Sequence, residues 1–332
     1  MQGGTRPLVS ICCTTYNHAR YLGQTLDGFL AQKCAFPFEI LVHDDASTDG
    51  TADILADYAA RYPDLILPLY EAENQYSRGV PINETFNFPR ARGKYIALCE
   101  GDDYWREDTK LARQIAHMEG DPGCTFCFTN GMIHDESGRR PDRPFLPYYP
   151  EDKALYTGKS RAYTLAEIAG FNFIPTASFV FRVDALRSLP PSFTGRRCEH
   201  GDLRMKLYLT ACGHAWYEHG FGCVYRQNVS GSAMQIWRRE SRDKLYARCQ
   251  SVADMVEDVN RFSHGEAEEA LQRVQEHYLR VMAHNAPSLE ALRSGEVGRV
   301  YRSLPAMERL RCSARFKLPG AFLRLLGKGG TV

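Results

Sequence analysis

The sequence predicts an α/β fold: a mostly parallel central sheet flanked by helices on both faces, with a helical C-terminal extension. Three observations predict it. Over the first 130 residues, short apolar, β-rich runs alternate with segments of helical spacing. Several of those runs end in acidic clusters, at the carboxyl edge where open α/β sheets bind ligands. After Trp237 the pattern is helical almost to the end.

The elements follow in order. Leu8 to Thr15 reads as the first strand, and 19–32 as a helix with Leu22, Leu26, Phe29 and Leu30 on one face. Phe38 to Val42 is the second strand and runs into His43-Asp44-Asp45. Ser47-Thr48-Asp49 reads as the cap of a helix carrying Ile54, Leu55 and Tyr58. Leu65 to Tyr70 is a third strand. A helix is expected over Ile82 to Arg92, with Pro89 limiting it. Lys94 to Glu100 is a fourth strand, followed by a helix from Glu107 to Met118 and a strand from Cys124 to Phe128. Residues 134–160 carry Pro141, Pro144, Pro147 and Pro150 with many tyrosines and no period, and read as a long loop or lid. A strand at Ala177 to Phe181, a helix near Asp184 to Leu189, a helix at 201–211 and a strand at 215–225 complete the α/β part.

Composition bounds the function. Of the 332 residues, 44% are hydrophobic and 24% charged, an ordinary globular balance that can bury a full core. The formal charge of +1 gives no global case for nucleic acid as a partner. The charge is uneven. Residues 301–332 hold seven Lys/Arg against Glu308, a surplus of six, so the rest of the chain carries −5. That basic tail, with Phe316, Leu318, Phe322, Leu323, Leu325 and Leu326, has two readings: peripheral contact with an anionic membrane surface, or a last amphipathic helix packed on the body. No apolar run reaches the ~20 residues that span a bilayer. Met1 to Pro7 is too short for a signal peptide, so the expected location is the cytoplasm, in whole or at the inner face of the membrane. The eleven cysteines are odd in number, and Cys12, Cys13 and Cys99 sit in apolar runs as small hydrophobes. Cys124 and Cys127 form a CxxC inside a strand, with no second pair at zinc-finger spacing.

Three motifs carry chemistry. Glu100-Gly101-Asp102-Asp103-Tyr104-Trp105 places adjacent acids at a strand end, where carboxylates cannot be buried without a counter-charge. A divalent cation shared with a diphosphate answers that need, since Mn²⁺ and Mg²⁺ take oxygen ligands. An exposed turn is the plain alternative. Thr14-Thr15-Tyr16-Asn17 ends the first strand, and could hold a nucleobase or simply make a turn. His43-Asp44-Asp45 ends the second, where an acid can accept from a base N–H or a ribose hydroxyl.

Together, Thr-Thr-Tyr-Asn, Asp-Asp-Ala-Ser-Thr-Asp-Gly-Thr and Gly-Lys-Tyr-Ile-Ala-Leu-Cys-Glu-Gly-Asp-Asp-Tyr-Trp resemble the signature of the family 2 glycosyltransferases of GT-A fold. The likeness is closest over residues 8–130 and looser to about 240, through Ala177 to Arg182, Gly201-Asp202, Tyr225-Arg226 and Gly231-Ser232. It implies a catalytic domain over 1–236, with a nucleotide-binding half (8–130) and an acceptor half (131–236), then a helical region over 237–332.

The resemblance also implies roles. Thr14, Thr15 and Tyr16 would contact the donor nucleobase. Asp45, with Asp44 beside it, would bind the base, and Arg78 would lie on a donor-contacting segment. Asp103 would ligate Mn²⁺ or Mg²⁺, and Asp102 would face ribose or sugar. Asp202 would be the general base of an inverting reaction, with Glu199 its rival and a helix cap its plain alternative. The implied substrates are a UDP- or dTDP-sugar donor and a glycan, lipid-linked or protein-linked sugar acceptor, as in surface polysaccharide assembly. A homodimer through the C-terminal helices is a further option. Two departures stand out. Gln227-Asn228-Val229 replaces a segment that often holds histidine in relatives, and Thr14 stands where proline is frequent. Gln235-Ile236-Trp237-Arg238 only partly matches the motif of processive synthases, and points to a non-processive enzyme with Trp237 as packing. The rival readings are a nucleotidyltransferase, which would want a glycine-rich loop after the first strand where Tyr-Asn-His-Ala-Arg stands, and a non-catalytic scaffold.

Overall fold

The computed structural model describes residues 6–195, 198–229, 231, 232, 235, 237, 239–314 and 316. The chain packs as two compact units. One holds the residues to 197 together with Gly201–Ser230; the other holds Cys198–His200 and the residues from Gly231 onward.

The first unit is built on one ten-stranded mixed sheet. Its strands are β1 (Val9–Thr15), β2 (Phe38–Asp44), β3 (Ile66–Tyr70), β4 (Tyr95–Leu98), β5 (Tyr104–Trp105), β6 (Cys124–Asp135), β7 (Arg143–Pro144), β8 (Arg161–Tyr163), β9 (Val180–Arg182) and β10 (His214–Gln227). The order is β3-β2-β1-β4-β9-β6-β10-β5, with β7 on β6 and β8 on β10. Strands β3, β2, β1 and β4 are mutually parallel, as are β6 and β10. The short β9 runs antiparallel between β4 and β6 and joins the two parallel blocks. Strand β1 is buried nearly throughout, because helices cover both faces of a parallel sheet.

Strand order reverses at β1. From β1 the chain crosses to β2 on one side, and only later adds β4 on the other. That is the topological switch point, where a crevice opens outside the carboxyl ends. The register brings those ends level: Thr15 pairs with Asp44, and Cys12 with Leu98. Residues 15–17, 44–45 and 99–103 therefore converge on one edge.

Helix α1 (Leu22–Leu30) buries Leu22, Leu26 and Phe29 on one stripe, and α2 (Thr51–Arg61) buries Leu55. With α3 (Lys110–Gly120) they cover a core of Val9, Ile11, Ile40, Val42, Ala97, Trp105 and Ile115. Gly28 lets α1 lie against β5. The Phe29 and Trp105 rings meet edge-on at 4.7 Å, and the Trp105 indole donates to the Ala177 carbonyl at 2.6 Å. Helix α4 (Gly201–Ala211) belongs to the same unit.

Several expected elements differ. The 82–92 helix forms over residues 82–90 but widens to a π stretch at Asn83–Asn87, and it ends just past Pro89, which removes a backbone donor. The strand expected at Ala177–Phe181 is a 3₁₀ turn at Thr176–Ser178, and pairing begins at Val180. The strand expected to stop at Phe128 runs to Asp135, carried along its longer partner β10. Helix α2 is preceded by Gly50 at φ 93°, and of the expected Ser47–Asp49 cap only Asp49 bonds the helix start, accepting the Thr51 N–H at 3.1 Å. The 134–160 stretch is not wholly irregular: it holds β7 and a 3₁₀ turn at Pro150–Ala154.

The second unit is helical. Helices α5 (Arg242–Phe262), α6 (Glu268–Asn285), α7 (Gly295–Ser303) and α8 (Ala306–Ala314) enclose Ala253, Leu279, Met282, Leu292, Val300 and Cys312. Trp237 packs there against the Arg248 guanidinium and the His200 ring. No described helix is long and apolar enough to cross a membrane. Ile236, Arg238 and the tail residues Leu318, Phe322, Leu323, Leu325 and Leu326 lie outside the described residues. All eleven cysteines are free; burial pushes the Cys124 thiol up to about 12 and the Cys127 thiol well above its ordinary value.

The α1–β5 contact is testable. A Cβ at Gly28 would stand 2.7 Å from the Trp105 carbonyl oxygen, and Trp105 is buried and bonded in place. Alanine gains about 1 kcal/mol of helix propensity, but such a clash costs roughly 1–3 kcal/mol. Gly28→Ala is expected to lower the urea midpoint; an equal or higher midpoint would contradict this packing.

Candidate active site

The loops after β1 and β2 are laced together. Asn17, at φ 54°, donates its N–H to the Ser47 hydroxyl at 2.8 Å, and its side-chain oxygen accepts the Thr48 N–H at 2.7 Å. The His18 N–H reaches the Thr51 hydroxyl at 2.8 Å, and the Ala19 N–H reaches an Asp49 oxygen at 3.1 Å. Burial pushes the Asp49 carboxyl up, but the Thr51 hydroxyl and the backbone donors of Ala19 and Thr51 outweigh it and hold it below its ordinary value. Thr48, Ser47 and Asp49 thus position the 17–19 loop. This leaves the Tyr16 ring 44% exposed beside the crevice while Thr15 is buried.

Asp44 and Asp45 are both buried. Burial raises the Asp44 carboxyl above its ordinary value, against the pull of a hydrogen bond from the Ser47 hydroxyl. The two oxygens of Asp45 accept the N–H groups of Gln75 and Tyr76 at 2.8 and 3.0 Å. Asp45 therefore anchors the 74–79 segment. Arg78 sits on that segment at the surface, 3.0 Å from Glu73.

The acidic turn is the most constrained part of the edge. Gly101 donates its N–H to the Thr14 carbonyl at 2.8 Å, and a Cβ there would meet the Thr15 hydroxyl at 2.6 Å. Only glycine permits this approach of β4 to β1. From below, the Thr25 hydroxyl of α1 is shared by the carbonyls of Gly101 (3.1 Å) and Asp103 (2.6 Å). Asp103 is buried, and one of its oxygens accepts the Arg226 N–H at 2.9 Å. Asp102 is partly exposed, 3.8 Å from the His18 ring nitrogen.

The charge of this turn is in excess. Burial, then the charges of Asp102 and Glu100, hold the Asp103 carboxyl well above its ordinary value, although the Arg226 N–H and guanidinium pull the other way. Burial and the Asp102 charge raise Glu100 likewise, and the charge of Asp202 adds to it. Asp202 stands in the first turn of α4. Its rival Glu199 belongs to the helical unit, 4.0 Å from Arg248.

Buried polar atoms without partners gather at the same edge: the Thr15 hydroxyl, Nδ1 of His18 and Oε2 of Glu100. Buried polar groups are normally bonded, so such a concentration marks a place built for something further. Among the described residues, no three His, Cys, Asp or Glu side chains form a ready metal cage. A cation here would take few protein oxygens and complete its shell from a ligand, as Mg²⁺ and Mn²⁺ sites with phosphates do.

Sequence reasoning missed Arg226 as a working residue. Its buried guanidinium reaches Glu136 at 3.1 Å, the Asp102 carbonyl and the Gln24 side chain, over the rings of Tyr21 and Tyr104. The available signal was a lone cation closing an apolar strand. Nothing in the order of residues shows that it pairs with an acid 123 positions away.

A model of glycosyl transferase family 2 matches residues 10–188, more than half of the chain. The chain belongs to glycosyl transferase family 2. It is 38% identical over 174 residues to an uncharacterised Mycobacterium tuberculosis protein (52% of this chain, 46% of that one). It is 32% identical over 158 residues to Bacillus subtilis TuaG, a protein assigned to teichuronic acid biosynthesis (48% of this chain, 56% of that one). The chain thus spans about half the length of the curated relatives it matches. The fold is that of the GT-A enzymes. S. aureus TarS in complex with UDP-GlcNAc superposes with a TM-score of 0.58 at 16% identity, over 92% of this chain and 78% of that one. The Pyrobaculum calidifontis mannosyltransferase PcManGT, in complex with GDP-Man and Mn²⁺, gives 0.52 at 19% identity, over 97% and 86%.

The seat of the acidic turn is open to test. Thr25→Val keeps the shape and removes the hydroxyl that holds two carbonyls of the turn, a loss of about 1 kcal/mol. Amide exchange at 101–103 is expected to accelerate in the variant, while exchange in β1 stays slow. Unchanged exchange at 101–103 would show that the turn is held by other means.

Proposed function

We propose that this chain is a metal-dependent, inverting glycosyltransferase that moves one sugar per encounter from a nucleotide-diphosphate donor to a hydroxyl of a growing surface glycan. The observation that carries the proposal is the crowding of Glu100, Asp102 and the buried Asp103 in one turn at the carboxyl edge, beside the unpartnered Thr15 hydroxyl and Glu100 Oε2. Such crowding asks for a cation, and a cation at this edge faces a crevice suited to a diphosphate.

The parts divide by position. Thr14, Thr15 and Tyr16 line the nucleoside side, with the exposed Tyr16 ring offered for stacking. Asp44 and Asp45 frame the base. Each Asp45 oxygen accepts one backbone bond and keeps further lone-pair capacity for a base N–H. Arg78 is carried on the segment that Asp45 anchors, and reaches toward the donor from the rim. Asp102, partly exposed, takes ribose or sugar hydroxyls. Asp103 is the residue to hold Mn²⁺ or Mg²⁺, its second oxygen being available while the first is fixed by Arg226. A metal held there supplies Lewis-acid stabilisation of the charge that develops on the departing diphosphate.

Asp202 is the base. It removes the proton from the attacking acceptor hydroxyl as the new bond to the anomeric carbon forms and the bond to the diphosphate breaks. General-base assistance of this kind contributes about 10²–10⁴-fold. Uridine and deoxythymidine diphosphate sugars are the preferred donors in this reading. TarS supports the first through its UDP-GlcNAc complex, PcManGT supports the metal, and TuaG supports a role in surface polysaccharide.

Two variants test the proposal. Asp103→Asn should remove the Mn²⁺-dependent part of donor binding in a thermal-shift titration, since ligand bound to the native state raises its apparent stability. Affinity that is the same with and without EDTA, in wild type and variant alike, refutes the metal role. Asp202→Asn should keep donor binding near that of wild type while transfer falls by roughly 10²-fold or more. Near-normal transfer would remove Asp202 as the base.

A further inference from the structure

Tyr148 and Tyr149 stand in the excursion between β6 and β8, mounted on one buried carboxylate. Asp152 is fully buried, and its Oδ2 accepts both of their backbone N–H groups, at 3.1 and 2.9 Å. The Tyr148 ring is packed by Phe145 (5.1 Å), Phe173 (5.3 Å) and Tyr149 (4.9 Å). Its hydroxyl accepts from the Gln227 amide at 3.2 Å. Tyr149 is backed by this cluster and is itself 43% exposed. The bond to Tyr149 caps the 3₁₀ turn at Pro150–Ala154, and the same carboxylate extends its hold to Tyr148 and so fixes both tyrosines.

Two short chains of bonds tie the mount to both halves of the proposed chemistry. Gln227 follows Arg226, whose N–H holds Asp103. On the other side, the second oxygen of Asp152 accepts the Asn172 N–H at 3.3 Å, and the neighbouring Phe171 carbonyl accepts from the Lys206 ammonium. Lys206 lies one helical turn after Asp202 on α4, on the same face. The charges of both Asp202 and Asp152 reach it. The tyrosine pair is therefore held between the strand end that carries the Asp103 clip and the helix that carries Asp202.

We propose that Tyr148 and Tyr149 form the acceptor subsite and that its occupant is a pyranose ring, stacked by its C–H face on the Tyr149 ring. This rests on the glycosyltransferase reading above and adds the residues that would hold the acceptor sugar. The donor's nucleoside has its place across β1 and β2, away from this platform. A sugar has an apolar face and a polar rim, and the platform offers both. The ring supplies the face; Gln227, the exposed Asn172 and Arg143, whose guanidinium stands 5.6 Å from the Tyr148 ring, supply the rim. A lipid chain would want a continuous apolar groove, not a single exposed ring edged with amides and a cation.

The test is saturation-transfer NMR on the full chain. The probes are the methyl glycosides of glucose, galactose, N-acetylglucosamine, N-acetylgalactosamine, mannose and rhamnose, with decyl phosphate as the lipid probe. At least one glycoside is expected to receive saturation on the ring protons of one face. Tyr149→Ala should weaken that glycoside about tenfold, a loss of about 1.4 kcal/mol, and Tyr149→Phe should restore it, because the ring and not the hydroxyl makes the contact. No transfer to any glycoside, transfer to decyl phosphate alone, or equal transfer in Tyr149→Ala overturns the subsite. Titration of the same samples with UDP, GDP and dTDP in the presence of Mn²⁺ separates the two claims. Nucleotide binding without a Tyr149-dependent glycoside signal sinks the subsite alone, and absence of nucleotide binding sinks the enzyme reading beneath it.

Discussion

Three carboxyl groups crowd the turn after β4, and the rest of the carboxyl edge is arranged around containing them. At an effective dielectric of about 20, two like charges about 4 Å apart repel by roughly 4 kcal/mol. A hydrogen bond to a charged group returns only about 1.5–3 kcal/mol. The Arg226 N–H on Asp103 therefore does not neutralise the turn, and burial with mutual repulsion keeps Asp103 and Glu100 above their ordinary values. The guanidinium of the same residue is drawn off to Glu136, Gln24 and the Asp102 carbonyl. Arg226 fixes where the Asp103 carboxyl points without offsetting the crowding that raises it.

The same division of labour runs through the neighbouring loops. Ser47, Thr48, Asp49 and Thr51 look in the sequence like donors and acceptors for a ligand or a helix cap. In the structure they are bonded to residues 17–19. Asp45 also spends its first bonds on backbone, at Gln75 and Tyr76. Much of what a nucleotide-binding motif spells is thus the framework that holds two loops in non-helical, partly left-handed conformations, Asn17 at φ 54° and Ala46 at φ 63°. Such conformations are unfavourable for residues with a Cβ and persist where neighbours over-determine them. For Asn17 the cost is met by the short bonds between the loops after β1 and β2, so the two loops are held in one arrangement.

What could be read in the sequence follows from the range of the interactions. The alternation of β1, α1, β2, α2 and β3 was legible because burial imposes a period on residues that are close in the chain. The acids at the strand ends were legible because open sheets place ligands there. The helix expected from Ile82 is present, but nothing local announces that Asn83–Asn87 takes the wider π form. β9 was placed a few residues early, since Ala177 and Ser178 are as buried as a strand while forming a 3₁₀ turn. The parts that Arg226 and Thr25 play at the edge were not legible. Each acts on a partner whose position depends on the finished sheet: Thr25 on residues 76 and 78 positions away, Arg226 on one 123 away.

This contrast bears on how such a fold diversifies. The family match covers residues 10–188, so it takes in both the acidic turn and the 140–173 excursion and stops before Asp202, Arg226 and Gln227. The edge after β1, β2 and β4 is built from contiguous loops, each of which carries its own signature. The opposite side is assembled from α4, the end of β10 and the 140–173 excursion, joined through Asp152, Lys206 and Gln227. None of these segments has a local pattern that announces its role. A change in the excursion can replace what Tyr149 presents while Asp152 keeps its backbone mount, and the Asp103 clip is untouched because it hangs on β10. On the proposed reading, a change in acceptor contacts would leave the acidic turn as it is, because the two sets of side chains hang on different bonds.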